Sequence, residues 1–383
     1  MTIRKKVTTR AIFVFYALIM LEGILMATPF GLFLYSFYLP FLEGIRQSVL
    51  TAWIAAFFLP HSVAATNSAL LELIRWTGPY LFIIGLIGFF IFAFQVYYSK
   101  FRRKKMVTNF VYSYIRHPQY LFFTLSGIGL LSMWPRMMML ILFSVMSIFY
   151  YYLAKFEENK MKSSYPEYSE YMKKTAMFIP WNPGGKIFNL LFGWISNQKV
   201  AQLIAAVLVI IIIFAGAIGL RNHTIANISI TKIPEKNIMA ISIFPHAESY
   251  LRDVVYKAMA YDSVKKALTA QGFVSFTAHI LPSNYGMLGM FVEVHNQAEF
   301  EESFRKRSSL RDWFWGTESD KIKVVFSKID KPGKQFVPLS EIMDMSAKMT
   351  PVLVADLNLA TGEVFNMTIT STTHYGDVPQ PIF

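Results

Sequence analysis

Long apolar runs set the pattern of the first 220 residues. The first covers about residues 11–38 and is interrupted by Pro29; the second covers about 70–98. Runs at 120–133 and 137–153 form a tight pair joined at Trp134-Pro135-Arg136, and a fifth, 200–220, is almost pure Ala, Val, Ile and Leu. A spanning helix needs roughly 20 apolar residues, so three runs qualify outright and the paired runs read as a short hairpin. Residues 49–59 are apolar but too few to span, and are expected at the interface. Residues 186–197 (KIFNLLFGWISN) read as an amphipathic helix lying on a membrane surface.

After residue 220 the pattern changes to that of a soluble domain. Residues 239–244, 273–281, 287–295 and 321–329 predict strands, and 248–270 and 298–314 predict helices. That order, βαββαβ, is the ferredoxin-like arrangement. A further hairpin is expected from 352–357 and 363–369, turning at Ala360-Thr361-Gly362. The fold class is therefore an α-helical polytopic membrane domain of about five spans plus a C-terminal α+β ferredoxin-like soluble domain. The expected division is 1–185, a membrane domain; 186–220, an interfacial helix and last span; and 221–383, an outer domain.

Charge orients this arrangement. The chain is 54% hydrophobic and only 16% charged, with a formal net charge of +13. Residues 1–220 hold 20 Lys and Arg against 7 Asp and Glu, whereas 221–383 hold 17 of each. All the excess positive charge flanks apolar runs, as the positive-inside rule describes, and the soluble part has none to offer nucleic acid. The basic clusters at residues 4–10, 100–105 and 155–174 all fall on one side if the N-terminus is cytoplasmic. The chain then reads as a multi-pass protein of the plasma (inner) membrane with its C-terminal domain extracytoplasmic. With no cysteine, disulfide frameworks, thiolate metal sites and thiol nucleophiles are excluded. The five histidines of the outer domain lack metal-ligand spacing, so no metal is expected. Glu22, inside the first run, is a functional candidate because a charge there is costly. Tyr150, Tyr151 and Tyr152 read as an interfacial belt.

The candidate chemistry lies at both feet of the hairpin. Residues 111–120 read VYSYIRHPQY just before it; 156–161 read FEENKM at its return, followed by Tyr165, Tyr168, Tyr171 and a closing MKKTAMFIP. The hairpin brings these segments to one side of the membrane although about 40 residues separate them.

This combination resembles the integral-membrane methyltransferases, the superfamily of isoprenylcysteine carboxyl methyltransferase and phospholipid methyltransferase. Tyr112, Arg116, His117, Pro118 and Tyr120 match its first motif; Glu157, Glu158 and Met161 match the acidic motif; Tyr168, Tyr171, Lys174 and Pro180 match the last. The resemblance covers about residues 110–180 and implies S-adenosylmethionine at the cytoplasmic foot of the hairpin, with a lipid or other membrane-embedded acceptor entering from the bilayer. It implies cofactor binding by Tyr112, Arg116, His117, Pro118, Tyr120, Glu157, Glu158, Tyr168 and Tyr171, with Glu158 and Lys174 as catalytic candidates. Arg116 and free N–H groups at Pro118 suit a carboxylate, and tyrosine faces suit a sulfonium. Phe110 and Phe122 stand where the family has glycine, and are expected to narrow the pocket; Lys174 stands where arginine is usual. The alternative reading is a non-catalytic membrane subunit that keeps the hairpin as scaffold and binds a protein partner through the outer domain.

Overall fold

The computed structural model describes residues 41–285 and 315–370, apart from 62 and 103–105, together with Val14 and Ala17. The first apolar run apart from Val14 and Ala17, Glu22, the strand expected at 287–295 and the helix expected at 298–314 lie outside the described residues. The chain divides into two units, one built from Leu73–Pro135 and Met139–Ile218, the other from described parts of Ile24–Glu72 and Gly219–Phe383 with Arg136–Met138.

The first unit is helical. α1 (Ala69–Phe101) carries the second apolar run, α2 (Pro118–Met133) and α3 (Met137–Ser164) form the hairpin, and α4 (Tyr168–Lys174) and α5 (Pro183–Phe192) are short. α6 (Gln198–Asn227) carries the last run. Three helices, within α1, α3 and α6, are long and apolar enough to cross a membrane. α2, at 16 residues, falls short of that length, and three of the expected spans are thus matched by candidate helices among the described residues. α1 and α2 approach closely: a Cβ on Gly85 would overlap the backbone of Ser126. The hydrophobic effect does not drive helices together in lipid, so close backbone packing of this kind supplies the contact instead.

The second unit is built on one six-stranded sheet. Its strands are β1 (Ser229–Ile233), β2 (Ile238–Ser242), β3 (Phe276–Pro282), β4 (Lys321–Asp330), β5 (Lys348–Asn358) and β6 (Glu363–Ile369), arranged in sequence order. β2 and β3 are parallel neighbours and every other pair is antiparallel. This order departs from the ferredoxin-like one, which would insert a strand between β2 and β3. Every residue of β2 and β3 is buried, as parallel central strands require. The helix expected at 248–270 is two, α7 (Glu248–Met259) and α8 (Asp262–Thr269), parted at Ala260-Tyr261. Leu251, Val254, Val255 and Ala258 of α7 pack on Ile238, Ala240 and Val324 of the sheet to make the main core. β1 was not foreseen in the sequence pattern, because its five residues follow the last apolar run without a turn signal.

Candidate functional site

The feet of the hairpin meet through backbone pairing. Ile115 and Ala176 form a parallel bridge. The N–H of Arg116 donates to the Ala176 carbonyl at 2.9 Å, and that of His117 to the Met177 carbonyl at 3.1 Å. Residues 175–178 thus lie as a strap across the entry to α2. Pro118 opens that helix, where its missing N–H costs nothing. His117 occupies the capping position with φ −128° and ψ 58°, yet its side chain makes no cap hydrogen bond. The ring turns inward instead.

Arg116 fastens three elements. Its Nε donates to Glu158 Oε1 at 2.5 Å, and both side chains are buried, at 8% and 5% exposure. Its Nη1 donates to the carbonyls of Met172, at 3.2 Å, and Thr175, and reaches Thr175 Oγ1 at 3.3 Å. The guanidinium thereby ties α3 to α4 and the strap. The sequence reading assigned it a cofactor carboxylate; here its donors are largely engaged within the protein.

Glu157 follows a different course. Adjacent helical positions point about 100° apart, so Glu158 faces inward while Glu157 sits at the rim with 38% exposure. Its Oε1 accepts from the Tyr120 hydroxyl at 2.9 Å. The buried His117 ring stands between the two carboxylates, Nδ1 3.6 Å from Glu157 and Nε2 3.4 Å from Glu158. Neither ring nitrogen completes a hydrogen bond. Each nitrogen instead faces a carboxylate oxygen at ion-pair distance.

The tyrosines divide by role. Tyr120 stacks against His117 at 5.4 Å and against Tyr150 at 5.1 Å. Tyr150 is therefore buried within the hairpin, a correction to its reading as part of a belt; Tyr152 remains exposed. The Tyr112 hydroxyl, with one proton to give, lies 3.1 Å from the Phe92 carbonyl and 3.2 Å from Gln119 Oε1, fastening the site to α1. The Tyr171 hydroxyl donates to the Tyr112 carbonyl at 2.5 Å, and Tyr168 is buried against Tyr171 with rings 5.5 Å apart. Burial pushes the Tyr112 and Tyr168 hydroxyls up, and pushes Tyr171 up to about 12. All three stay protonated donors at neutral pH.

Lys174 is exposed at the end of α4 and does not join this cluster. Phe110 is 71% exposed and carries a left-handed φ of 60°. Phe122 points to α1: a Cβ on Gly88 would overlap its ring, which also lies 5.1 Å from Phe92. A glycine on the neighbouring helix accommodates it. Thr175, Met172, Gln119 and Gly88 contribute without having been signalled by any motif, since two act through backbone carbonyls and one through a missing side chain.

Residues 76–168 match the family model described as phospholipid methyltransferase. Over 147 residues the chain is 27% identical to the cobalt-zinc-cadmium resistance protein CzcN of Cupriavidus metallidurans, a stretch that is 36% of this chain and 62% of that protein. The chain thus spans less than two thirds of that relative's length. No solved structure matches. The family match runs from α1 to the first residue of α4, and together with the apolar helices it marks a membrane protein with a methyltransferase-like scaffold.

Proposed function

We propose that the chain is an integral-membrane, S-adenosylmethionine-dependent methyltransferase acting on a lipid or lipid-like acceptor at the feet of the α2–α3 hairpin. One observation carries the reading: Arg116, His117, Tyr120, Glu157 and Glu158 converge there within the segment that matches phospholipid methyltransferases. Basic residues beside the apolar helices support a cytoplasmic site and an extracytoplasmic C-terminal domain.

The donor set fits the cofactor's chemistry. Glu157, the exposed carboxylate, suits its ammonium or ribose hydroxyls, with the His117 ring behind it. The aromatic rings gathered at the site suit the sulfonium, an interaction of about 0.5–2 kcal/mol. Arg116 and Glu158 hold the strap and α3 in register, as positioning residues. Lys174, still a candidate from its motif, would act from the surface.

When bound, the cofactor supplies an electrophilic methyl group on sulfur. The chain's part is alignment and exclusion of water. For a carboxylate acceptor nothing more is needed. For an amine acceptor, Glu157 with His117 behind it takes the proton that the nitrogen must lose.

The test is titration calorimetry of S-adenosylhomocysteine into detergent-purified protein, beside His117→Ala and Glu157→Gln. Micromolar binding lost in both variants is the expected result. Absence of heat in protein shown to be folded would overturn the reading and turn attention to the non-catalytic scaffold.

A further inference from the structure

α5 buries none of its residues, although it is mostly apolar. Ile187, Leu190 and Leu191 recur at i, i+3 and i+4, one face of α5; Trp194 follows the end of the helix, and all four are exposed, Leu190 by 81% and Trp194 by 80%. Phe188 and Phe192, rings 5.5 Å apart, lie on another side of the helix, and Lys186 borders the exposed face. Ahead of the helix, Trp181 and Asn182 hold left-handed φ values of 63° and 49°. Such a conformation is one that non-glycine residues seldom adopt. It sets Trp181 outward, 85% exposed, while Asn182 Oδ1 caps the helix by accepting from Gly185 N at 3.2 Å.

We propose that residues 181–194 are an in-plane anchor seated in the headgroup zone of an anionic bilayer leaflet, and that this anchor fixes the depth at which the strap presents the site. Two further observations favour a bilayer. The anchor is continuous with a membrane span, since α6 begins at Gln198, shortly after α5 ends at Phe192. Residues 171–220 contain four lysines and no acidic residue, which suits anionic headgroups. On its other side the anchor runs into the strap, whose Met177 carbonyl accepts from His117 N and whose Phe178 ring lies 6.0 Å from that of His117. Resting on the methyltransferase reading, the anchor deepens it: the favoured acceptor carries its reacting group at headgroup depth, not on a soluble molecule.

The full chain is reconstituted into phosphatidylcholine–phosphatidylglycerol vesicles whose acyl chains carry bromine either near the headgroup or near the tail end. The Trp194 contribution is the difference in fluorescence quenching between the natural chain and Trp194→Phe. Stronger quenching by the shallow bromines, abolished in Leu190→Glu/Leu191→Glu, is the expected result. Equal or stronger quenching by the deep bromines, or none at either depth because water or a second copy covers the face, would overturn the anchor. S-adenosylhomocysteine binding is measured on the same samples: its loss with quenching intact sinks the methyltransferase reading alone, and the reverse sinks the anchor alone.

Discussion

On α1 the side chains of Ile83, Ile87, Phe90, Ile91 and Phe94 are exposed, while in the sheet unit Ile238, Leu251, Val254 and Val324 are wholly buried. Around the hairpin feet, the interior holds Arg116, His117 and Glu158. Each unit answers to its own solvent. Lipid provides no drive to hide apolar groups, so the helical unit is organised inward by hydrogen bonds, charge and close backbone contact. Water provides that drive, so the sheet unit is organised by apolar burial. The same residue types therefore mean opposite things in the two halves of one chain.

The largest effect expected from this contrast is at Arg116. Arg116→Ala leaves Glu158 buried and uncompensated, and is expected to cost about 3–5 kcal/mol in detergent thermal unfolding. Arg116→Met combined with Glu158→Leu removes both charges and is expected to recover most of that loss, because a buried pair is dear to break and cheap to replace. If the double variant is no better than the single one, the strap contacts of Arg116 dominate over its charge.

In the sheet unit the corresponding break is apolar. Leu251→Ala, at a fully buried position of the main core, is expected to cost about 2–5 kcal/mol while leaving ligand binding at the hairpin unchanged. The comparison fails if that variant also abolishes binding.

The smallest effect is one of pH. Burial raises the Tyr171 hydroxyl from its ordinary 10.0 to about 12, so the folded state holds this proton more tightly than the unfolded one. The resulting stability is fully present below the lower value and is lost as pH rises towards the upper one. Unfolding followed through that alkaline window is expected to show a steeper loss for the natural chain than for Tyr171→Phe.

Much of this contrast was legible in the residues. The apolar runs at 70–98, 137–153 and 200–220 correspond to α1, α3 and α6, and the hairpin expected at 352–357 and 363–369 corresponds to β5 and β6. The ordered motifs led to residues that do converge at the hairpin feet. What escaped was relational. The partners of Arg116 on the strap are carbonyls, and any sequence supplies carbonyls; only the path of the backbone decides which ones are near. Phe122 seemed to obstruct a pocket because the glycine that accommodates it, Gly88, lies on another helix. The sheet order escaped because alternating residues mark a strand but not its neighbour, and continuous burial of β2 and β3 is visible only once the sheet is assembled.

The pairing of residues 115–117 with 175–178 bears on how the protein is made. Thr175 follows Arg116 by 59 residues, so the first half of the site must wait for both hairpin helices and α4 to leave the ribosome. At about 5–20 residues per second that interval is about 3–12 s. During it Arg116 and His117 are present without the strap, and Glu158 arrives before the carbonyls that complete the guanidinium's shell. An unfinished chain released inside this window would carry a half-paired arginine at the membrane boundary.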